Sequence, residues 1–138
     1  MSGAEAPVQG PRAMATRGPV LVIGSGLLGA SLGLALRAGG VEVLLEDASP
    51  TSLRLAQDIG AGRPLSEWTA DTGGQREAGP HLVVVATPPD VADRCVVHAL
   101  RAYPRAFVTD VASVKDAVMS DALAELGRQE MAEAGARY

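Results

Sequence analysis

Cysteine, aromatic residues and lysine are all scarce in this chain, and each shortage narrows the class of protein. Cys95 is the only cysteine among 138 residues, which excludes an internal disulfide and a cysteine-rich zinc site. Aromatic residues make up 3% of the chain, so its core must be built from Val, Leu, Ile and Ala. No apolar run is long enough to span a bilayer, and no apolar segment near the N-terminus indicates secretion. We therefore expect a single cytoplasmic domain.

Positive charge is also limited. The formal net charge is −4 and the chain has no block of basic residues, so nucleic acid is not an expected partner. Lys115 is the only lysine among twelve basic residues, the others being arginines. Residues 1–18 are rich in Ala, Gly and Pro without periodicity, which predicts a disordered leader. Residues 19–138 are then expected to form one domain.

The dominant feature of the sequence is an apolar run that leads into a glycine-rich turn. Four aliphatic residues, Val20 to Ile23, precede Gly24, Gly26 and Gly29, which fit the pattern G-x-G-x-x-G. In a dinucleotide-binding turn the first glycine permits the sharp bend, the second admits a pyrophosphate, and the third lets helix and strand pack closely. The next helix would offer its free N–H groups to the anion. A glycine turn that serves packing alone is the alternative.

The remaining chain alternates apolar strands with helical segments. This alternation, with strands that are continuously apolar, predicts a doubly wound parallel α/β sheet covered on both faces. We expect an apolar, largely buried helix over residues 27–38, Ser49 and Asp90 as helix N-caps, a polar loop over residues 71–80, and no partner for residues 136–138. The predicted strands are residues 20–23, 41–45, 81–87 and 106–110, and the other predicted helices start near residues 49, 90 and 113.

Two acidic residues follow the second predicted strand. A carboxylate at this position accepts hydrogen bonds from the adenosine ribose and repels a 2′-phosphate. We take Asp47 as the ribose ligand in preference to Glu46. Because Ala48 follows, with no arginine beside it, NAD is favoured over NADP as the cofactor, although NADP stays possible. A solvated strand end is the alternative interpretation.

Further candidate functional residues lie after the next two predicted strands. Thr87 and Pro88 end one strand and are interpreted as a wall of the nicotinamide site, or simply as a strand terminator. Ser113 with Asp116 fits a capping box, which would explain the serine without chemistry. Lys115 is harder to explain structurally, because a lysine in the first helical turn faces the unfavourable end of the dipole. No pattern of metal ligands is recognised.

Together these stretches resemble the prephenate dehydrogenase family, which includes arogenate dehydrogenases. The resemblance implies NAD(P)-dependent oxidative decarboxylation of prephenate or arogenate. It implies that Ser113 hydrogen-bonds the substrate hydroxyl and the catalytic histidine, and that residues of the glycine turn, Asp47 and Thr87-Pro88 bind the cofactor. The turn residues are Gly24, Ser25, Gly26, Leu27, Leu28 and Gly29; the motifs are residues 22–32, 46–50, 84–89 and 109–115.

The sequence departs from this family at its end. In the family an Arg-Tyr pair such as Arg137-Tyr138 leads into a strand with the catalytic histidine and then into a helical dimerisation domain, which are absent here. We therefore interpret the chain as the nucleotide-binding part, inactive alone, with a homodimer expected only through the missing domain. Two alternatives stay open: a module that senses NAD(H) without turnover, and the first domain of another dehydrogenase, such as a β-hydroxyacid dehydrogenase.

Overall fold

Five parallel strands form the single sheet of the computed structural model, which describes residues 19–72, 79–111 and 137–138. The predicted leader and the segment that carries Ser113 and Lys115 lie outside these residues. The order across the sheet is β3-β2-β1-β4-β5. The strands are β1 (Val20–Ile23), β2 (Val43–Glu46), β3 (Arg63–Pro64), β4 (Leu82–Val85) and β5 (Phe107–Asp110).

The order in which successive strands are added to the sheet reverses between β3 and β4, although all of the strands are parallel. Strands β1 to β3 extend the sheet to one side of β1, whereas β4 and β5 extend it to the other. Ile23 at the end of β1 lies beside Glu46 on one side and Val85 on the other, so the carboxyl ends of the central strands are level. The predicted doubly wound parallel sheet is confirmed, and its crevice lies where ligands bind in such sheets.

Two apolar clusters fill the space between the sheet and its helices, because successive side chains of each buried strand point to opposite faces. On one face Val20, Val22 and Leu45 pack with residues of the first two helices. On the other face Leu21, Ile23 and Val83 pack with residues of the last two. The helices are α1 (Leu27–Ala38), α2 (Pro50–Asp58), α3 (Leu65–Thr72) and α4 (Pro89–Ala102). No described helix is long and apolar enough to cross a membrane.

Helix α1 has the predicted bounds, but the prediction that it is largely buried is wrong. Its buried residues are small ones, Gly29, Ala30 and Gly33. Leu27 is 89% exposed and Leu28 57% exposed. Small residues bring the helix axis close to the sheet, and the leucines on the opposite side are thereby left in solvent. The helix ends in a Schellman motif, in which Val41 N donates to Leu36 O (3.1 Å) around a Gly40 that has φ +86°.

One predicted N-cap is confirmed and one is wrong. Ser49 Oγ accepts a hydrogen bond from Ser52 N (3.2 Å), and Pro50 occupies the first position of α2. Helix α4 starts earlier than predicted, with Pro88 at the N-cap and Pro89 as its first residue, so Asp90 lies inside the first turn. A carboxylate there still faces the positive end of the helix dipole.

Residues 61–72 carry structure that the sequence does not predict. Strand β3 has only two residues, too few for a hydrophobic period, and α3 follows it directly. Asp71 and Thr72, predicted to start a loop, are helical, and Arg63 pairs with Asp71. Trp68 is 9% exposed and belongs to the same apolar cluster as Leu44.

The last two residues of the chain contact the domain, contrary to the prediction that they have no partner. The Arg137 guanidinium donates to three backbone oxygens, those of Leu100 (2.7 Å), Tyr103 (2.9 Å) and Ala106 (3.3 Å). Leu100 O lies in the last turn of α4, where carbonyls have no partner within the helix, and the other two oxygens lie between that helix and β5. Arg137 therefore caps the C-terminal end of α4, although it is separated from these oxygens by 31 to 37 residues along the chain.

Candidate nucleotide-binding site

The turn between β1 and α1 is built against the loop that follows β4. Gly24 has φ +98°, a conformation that L side chains rarely adopt. A Cβ atom there would lie 2.8 Å from the carbonyl carbon and oxygen of Ala86. Gly24 N also donates to Glu46 O (2.8 Å), and Ala86 N donates to Ile23 O (2.7 Å). Three strand ends thus meet at this one turn, and only glycine fits at its first position.

The other two glycines of the turn differ in what surrounds them. A Cβ on Gly29 would lie 1.9 Å from Gly24 O, so the first turn of α1 rests on the backbone of the loop. A Cβ on Gly26 would meet no atom within 4 Å. Since the fold has no steric need for glycine at position 26, its missing side chain instead keeps the space in front of α1 open. This division matches the three roles that the spacing predicts.

The N-terminus of α1 presents unpaired donors to that open space. Gly26 is the N-cap and provides no side-chain hydrogen bond. The N–H groups of Leu27, Leu28 and Gly29 have no partner within the helix, because the first intrahelical bond runs from Ala30 N to Gly26 O (2.8 Å). No acidic residue lies in the first turn. The donors and the positive end of the helix dipole are therefore available to an anion.

Asp47 lies immediately beyond the end of β2 and is hydrogen-bonded to the glycine turn. Its Oδ2 accepts from Ser25 N (2.6 Å) and Ser25 Oγ (2.8 Å), and its Oδ1 accepts from Ser49 N (2.8 Å). Burial by itself raises the pKa of Asp47, but the three hydrogen bonds outweigh it, so the pKa lies below its ordinary value. Asp47 is an anion fixed in orientation beside the crevice.

Thr87 lies on the β4 side of the crevice. Its backbone N would be 2.9 Å from a Cβ on Gly24, so the threonine adjoins the glycine turn. Its Oγ1 is buried and has no hydrogen-bond partner, the one such side-chain atom among the residues described. Burying a hydroxyl without a partner is unfavourable, so a donor or acceptor from outside the chain would be stabilised there. Pro88 follows, exposed, as the N-cap residue of α4.

Asp110 belongs to this edge of the sheet and to the motif of residues 109–115, although the sequence analysis assigned it no role. It ends β5 beside Val85, is 6% exposed, and accepts a hydrogen bond from Tyr138 Oη. Burial, and then the contact with Asp110, raise the pKa of the Tyr138 hydroxyl. Ser113, the predicted catalytic residue, lies outside the described residues. No group of His, Cys, Asp or Glu suited to a metal ion occurs in the described part of the chain.

Fold and site together define a class of protein. The strand order, the glycine turn at the point of reversal and the acidic residue beyond β2 are those of a Rossmann-type dinucleotide-binding domain. Within this class, residues 32–134 match the family described as prephenate dehydrogenase, nucleotide-binding domain. The chain belongs to that family, and the resemblance noted in the sequence is confirmed. The match begins after Gly29, so the geometry supplies independent support for the turn.

Individual relatives agree with this assignment. The chain is 42% identical over 96 residues to the probable prephenate dehydrogenase NovF of Streptomyces niveus, which covers 69% of this chain and 24% of that protein. A prephenate dehydrogenase from A. aeolicus, solved in complex with hydroxyphenyl propionate and NAD+, superposes with a TM-score of 0.64 at 25% identity. That alignment covers 81% of this chain and 39% of the solved chain.

A third relative supports the fold alone. The arogenate dehydrogenase of Synechocystis superposes with a TM-score of 0.61 at 24% identity, over 77% of this chain and 37% of that one. The described chain therefore spans less than half the length of each of these relatives. What it has in common with all three is the fold of its nucleotide-binding domain.

Proposed function

We propose that this chain is the NAD-binding part of a dehydrogenase that oxidatively decarboxylates prephenate or arogenate, a reaction that yields 4-hydroxyphenylpyruvate or tyrosine, respectively. The observation that carries the proposal is the pairing of two features across one crevice. Gly26 leaves open space in front of the unpaired N–H groups of α1, and the Asp47 carboxylate lies on the neighbouring strand end. N–H donors that can bind an anion, next to a carboxylate that can accept hydrogen bonds from hydroxyl groups, suit the pyrophosphate and the ribose of a dinucleotide.

The residues present fit this cofactor in three places. The N–H groups of Leu27, Leu28 and Gly29 would hold the pyrophosphate. Asp47 would accept from the adenosine ribose and, being anionic, would disfavour the 2′-phosphate of NADP. The unpartnered Oγ1 of Thr87 would find a partner at the nicotinamide end, next to Pro88. The solved relative from A. aeolicus contains NAD+, which supports the same choice.

When bound, NAD supplies the hydride acceptor for the ring carbon that bears the substrate hydroxyl, while the carboxylate leaves as carbon dioxide. This chain's own part is to bind and orient the cofactor. Ser113 is proposed, from the family resemblance, to hydrogen-bond the substrate hydroxyl. The catalytic histidine and the homodimer interface are proposed to lie in the part of the relatives that this chain does not span. We also propose a cytoplasmic location.

Calorimetry on the chain tests this function. We expect NAD+ and NADH to bind, NADP+ to bind more weakly, and Asp47→Ala to narrow that difference. Adding prephenate with NAD+ is expected to give no NADH, because the chain spans only part of each relative. Failure of the parent chain to bind either NAD+ or NADP+ would overturn the proposal, and tighter binding of NADP+ would overturn the choice of NAD.

A further inference from the structure

Ser25 is one of only two buried polar side chains among the described residues, and the fold does not require a hydroxyl there. It lies between Gly24 and Gly26 with 4% of its surface exposed. The sharp bend is provided by Gly24, and an alanine at position 25 would complete the turn equally well. The hydroxyl has a single recorded partner, Oδ2 of Asp47, at 2.8 Å. Its placement therefore points to a role that acts through the carboxylate.

The carboxylate of Asp47 is held from two loops at once. Ser25 donates twice to Oδ2, through N and Oγ, while the N–H of Ser49 donates to Oδ1. A carboxylate has about four acceptor positions, so about one, on Oδ1, is left for a ligand. Because hydrogen bonds reach both oxygens, rotation of the carboxylate about its last bond would break at least one of them.

A fixed carboxylate discriminates between nucleotides more sharply than a mobile one. A ribose hydroxyl can donate to the remaining position on Oδ1 without any rearrangement. A 2′-phosphate placed there meets a like charge that cannot turn away, whereas a mobile carboxylate would rotate and reduce the repulsion. Orientation therefore adds to the selectivity that the charge of Asp47 provides.

We propose that Ser25 is a positioning residue that determines nucleotide specificity: by fixing the Asp47 carboxylate, its hydroxyl strengthens the preference for NAD over NADP. The proposal rests on the proposed function, since it assumes that a nucleotide binds in this crevice. The hydroxyl's contribution is separable from that of the backbone, because Ser25→Ala removes Oγ and keeps the N–H bond to Oδ2.

The chain offers a matched control in the same region. Ser49 also contacts Asp47, but only through its backbone N–H, while its own Oγ caps α2. Ser49→Ala therefore removes a hydroxyl of the same size and leaves every bond to Asp47 in place. Any effect on nucleotide preference that is shared by both serine variants would not come from the orientation of the carboxylate.

The experiment is a double-mutant cycle read by calorimetry with NAD+ and NADP+. We measure the ratio of the two dissociation constants for the parent, Ser25→Ala, Ser49→Ala, Asp47→Ala and the Ser25→Ala/Asp47→Ala double variant. In Ser25→Ala the preference for NAD+ is expected to fall, but by less than about tenfold, the weight of one hydrogen bond to a charged group, because the two backbone N–H bonds to Asp47 remain. Ser49→Ala is expected to keep the parent's ratio, and Ser25→Ala to have no further effect once Asp47 is replaced.

Circular dichroism of each variant confirms that it is folded before the ratio is compared. An unchanged ratio in Ser25→Ala, or an equal loss of affinity for both nucleotides, would overturn the proposal and leave the proposed function standing. A further change of the ratio in the double variant would show that Ser25 acts without Asp47, which also overturns it. The proposed function itself would be overturned only if the parent chain bound neither NAD+ nor NADP+.

Discussion

Gly33 on α1 lies directly against the backbone of Ala61, in the segment before β3. A Cβ atom on Gly33 would be 2.4 Å from Ala61 O and 3.2 Å from the Ala61 carbonyl carbon and Cβ. Helix and loop therefore touch backbone to backbone, and α1 cannot lie this close to the sheet with a larger residue at position 33. The short distance between α1 and the sheet also places the first turn of α1 at the crevice. The packing contact at Gly33 therefore helps to position the candidate nucleotide-binding site.

The first prediction concerns this contact. Gly33→Ala should destabilise the chain by up to about 2 kcal/mol. The added methyl overpacks a backbone contact that cannot yield without moving α1, at a cost of about 1–3 kcal/mol, and the gain in helix propensity of about 1 kcal/mol offsets part of this cost. Gly39→Ala is the control, since a Cβ there has its nearest atoms at an ordinary 3.5 Å. Urea unfolding measures both; equal stability for the two variants would contradict the role assigned to Gly33.

The second prediction separates binding from folding at Gly26. Gly26→Val places a branched side chain in the space proposed for the pyrophosphate, and φ −70° with open surroundings gives it no strain in the unbound chain. We expect the variant to fold, as judged by circular dichroism, and to show no calorimetric binding of NAD+. Gly39→Val, at the exposed far end of the same helix, should bind like the parent. Undiminished binding by Gly26→Val would mean that the turn serves packing alone.

The third prediction follows from the lowered pKa of Asp47. A carboxyl whose pKa is lower in the folded state stabilises the fold above its unfolded-state pKa, about 3.9, and this stabilisation is lost as the pH falls through the folded-state pKa. Asp47→Asn should therefore be less stable than the parent near neutral pH. The difference should shrink between roughly pH 5 and pH 2.

Thermal unfolding of the two chains over that pH range checks this dependence. Asp58→Asn serves as the control for the change from Asp to Asn, because the exposed Asp58 on α2 makes no described hydrogen bond; near neutral pH it should stay within about 0.5 kcal/mol of the parent. A stability difference between Asp47→Asn and the parent that stays constant with pH would contradict the hydrogen-bonded anion described here.

Four of the five described strands and the glycine turn were predictable because their signals are local. Four-residue apolar runs and the spacing of Gly24, Gly26 and Gly29 depend on neighbours in sequence, and the structure reproduces them within one or two residues at most ends. The orientation of α1 was not predictable in this way. Its leucines suggest burial by hydrophobicity, but backbone contacts at Gly29 and Gly33 decide which side faces the sheet.

Contacts between distant residues account for the other differences. The bonds from Ser25 to Asp47 join positions 22 apart, and nothing in either local sequence indicates that the Asp47 carboxylate is fixed by the glycine turn. Strand β3 shows no hydrophobic period, because it consists only of Arg63 and Pro64, which pair with Leu44 and Leu45 of β2. Such pairings follow from the tertiary arrangement and leave no trace in composition or periodicity.

The last prediction concerns Arg137, whose contacts were also missed. Its guanidinium donates to Leu100 O, a carbonyl in the last turn of α4 that has no partner within the helix, and to Tyr103 O, which also accepts from Ala106 N (3.0 Å). Arg137→Ala should therefore destabilise the chain by about 1–3 kcal/mol, the cost of leaving a carbonyl group unpaired. Arg137→Lys should recover only part of the lost stability, because a single ammonium does not have the planar, multi-donor shape of the guanidinium.

Arg105→Ala is the control, because Arg105 is an exposed arginine in the adjoining loop that makes no described hydrogen bond. This variant should stay within about 0.5 kcal/mol of the parent. Urea unfolding compares the four chains, and equal stability for Arg137→Ala and Arg105→Ala would show that the end of α4 does not depend on Arg137.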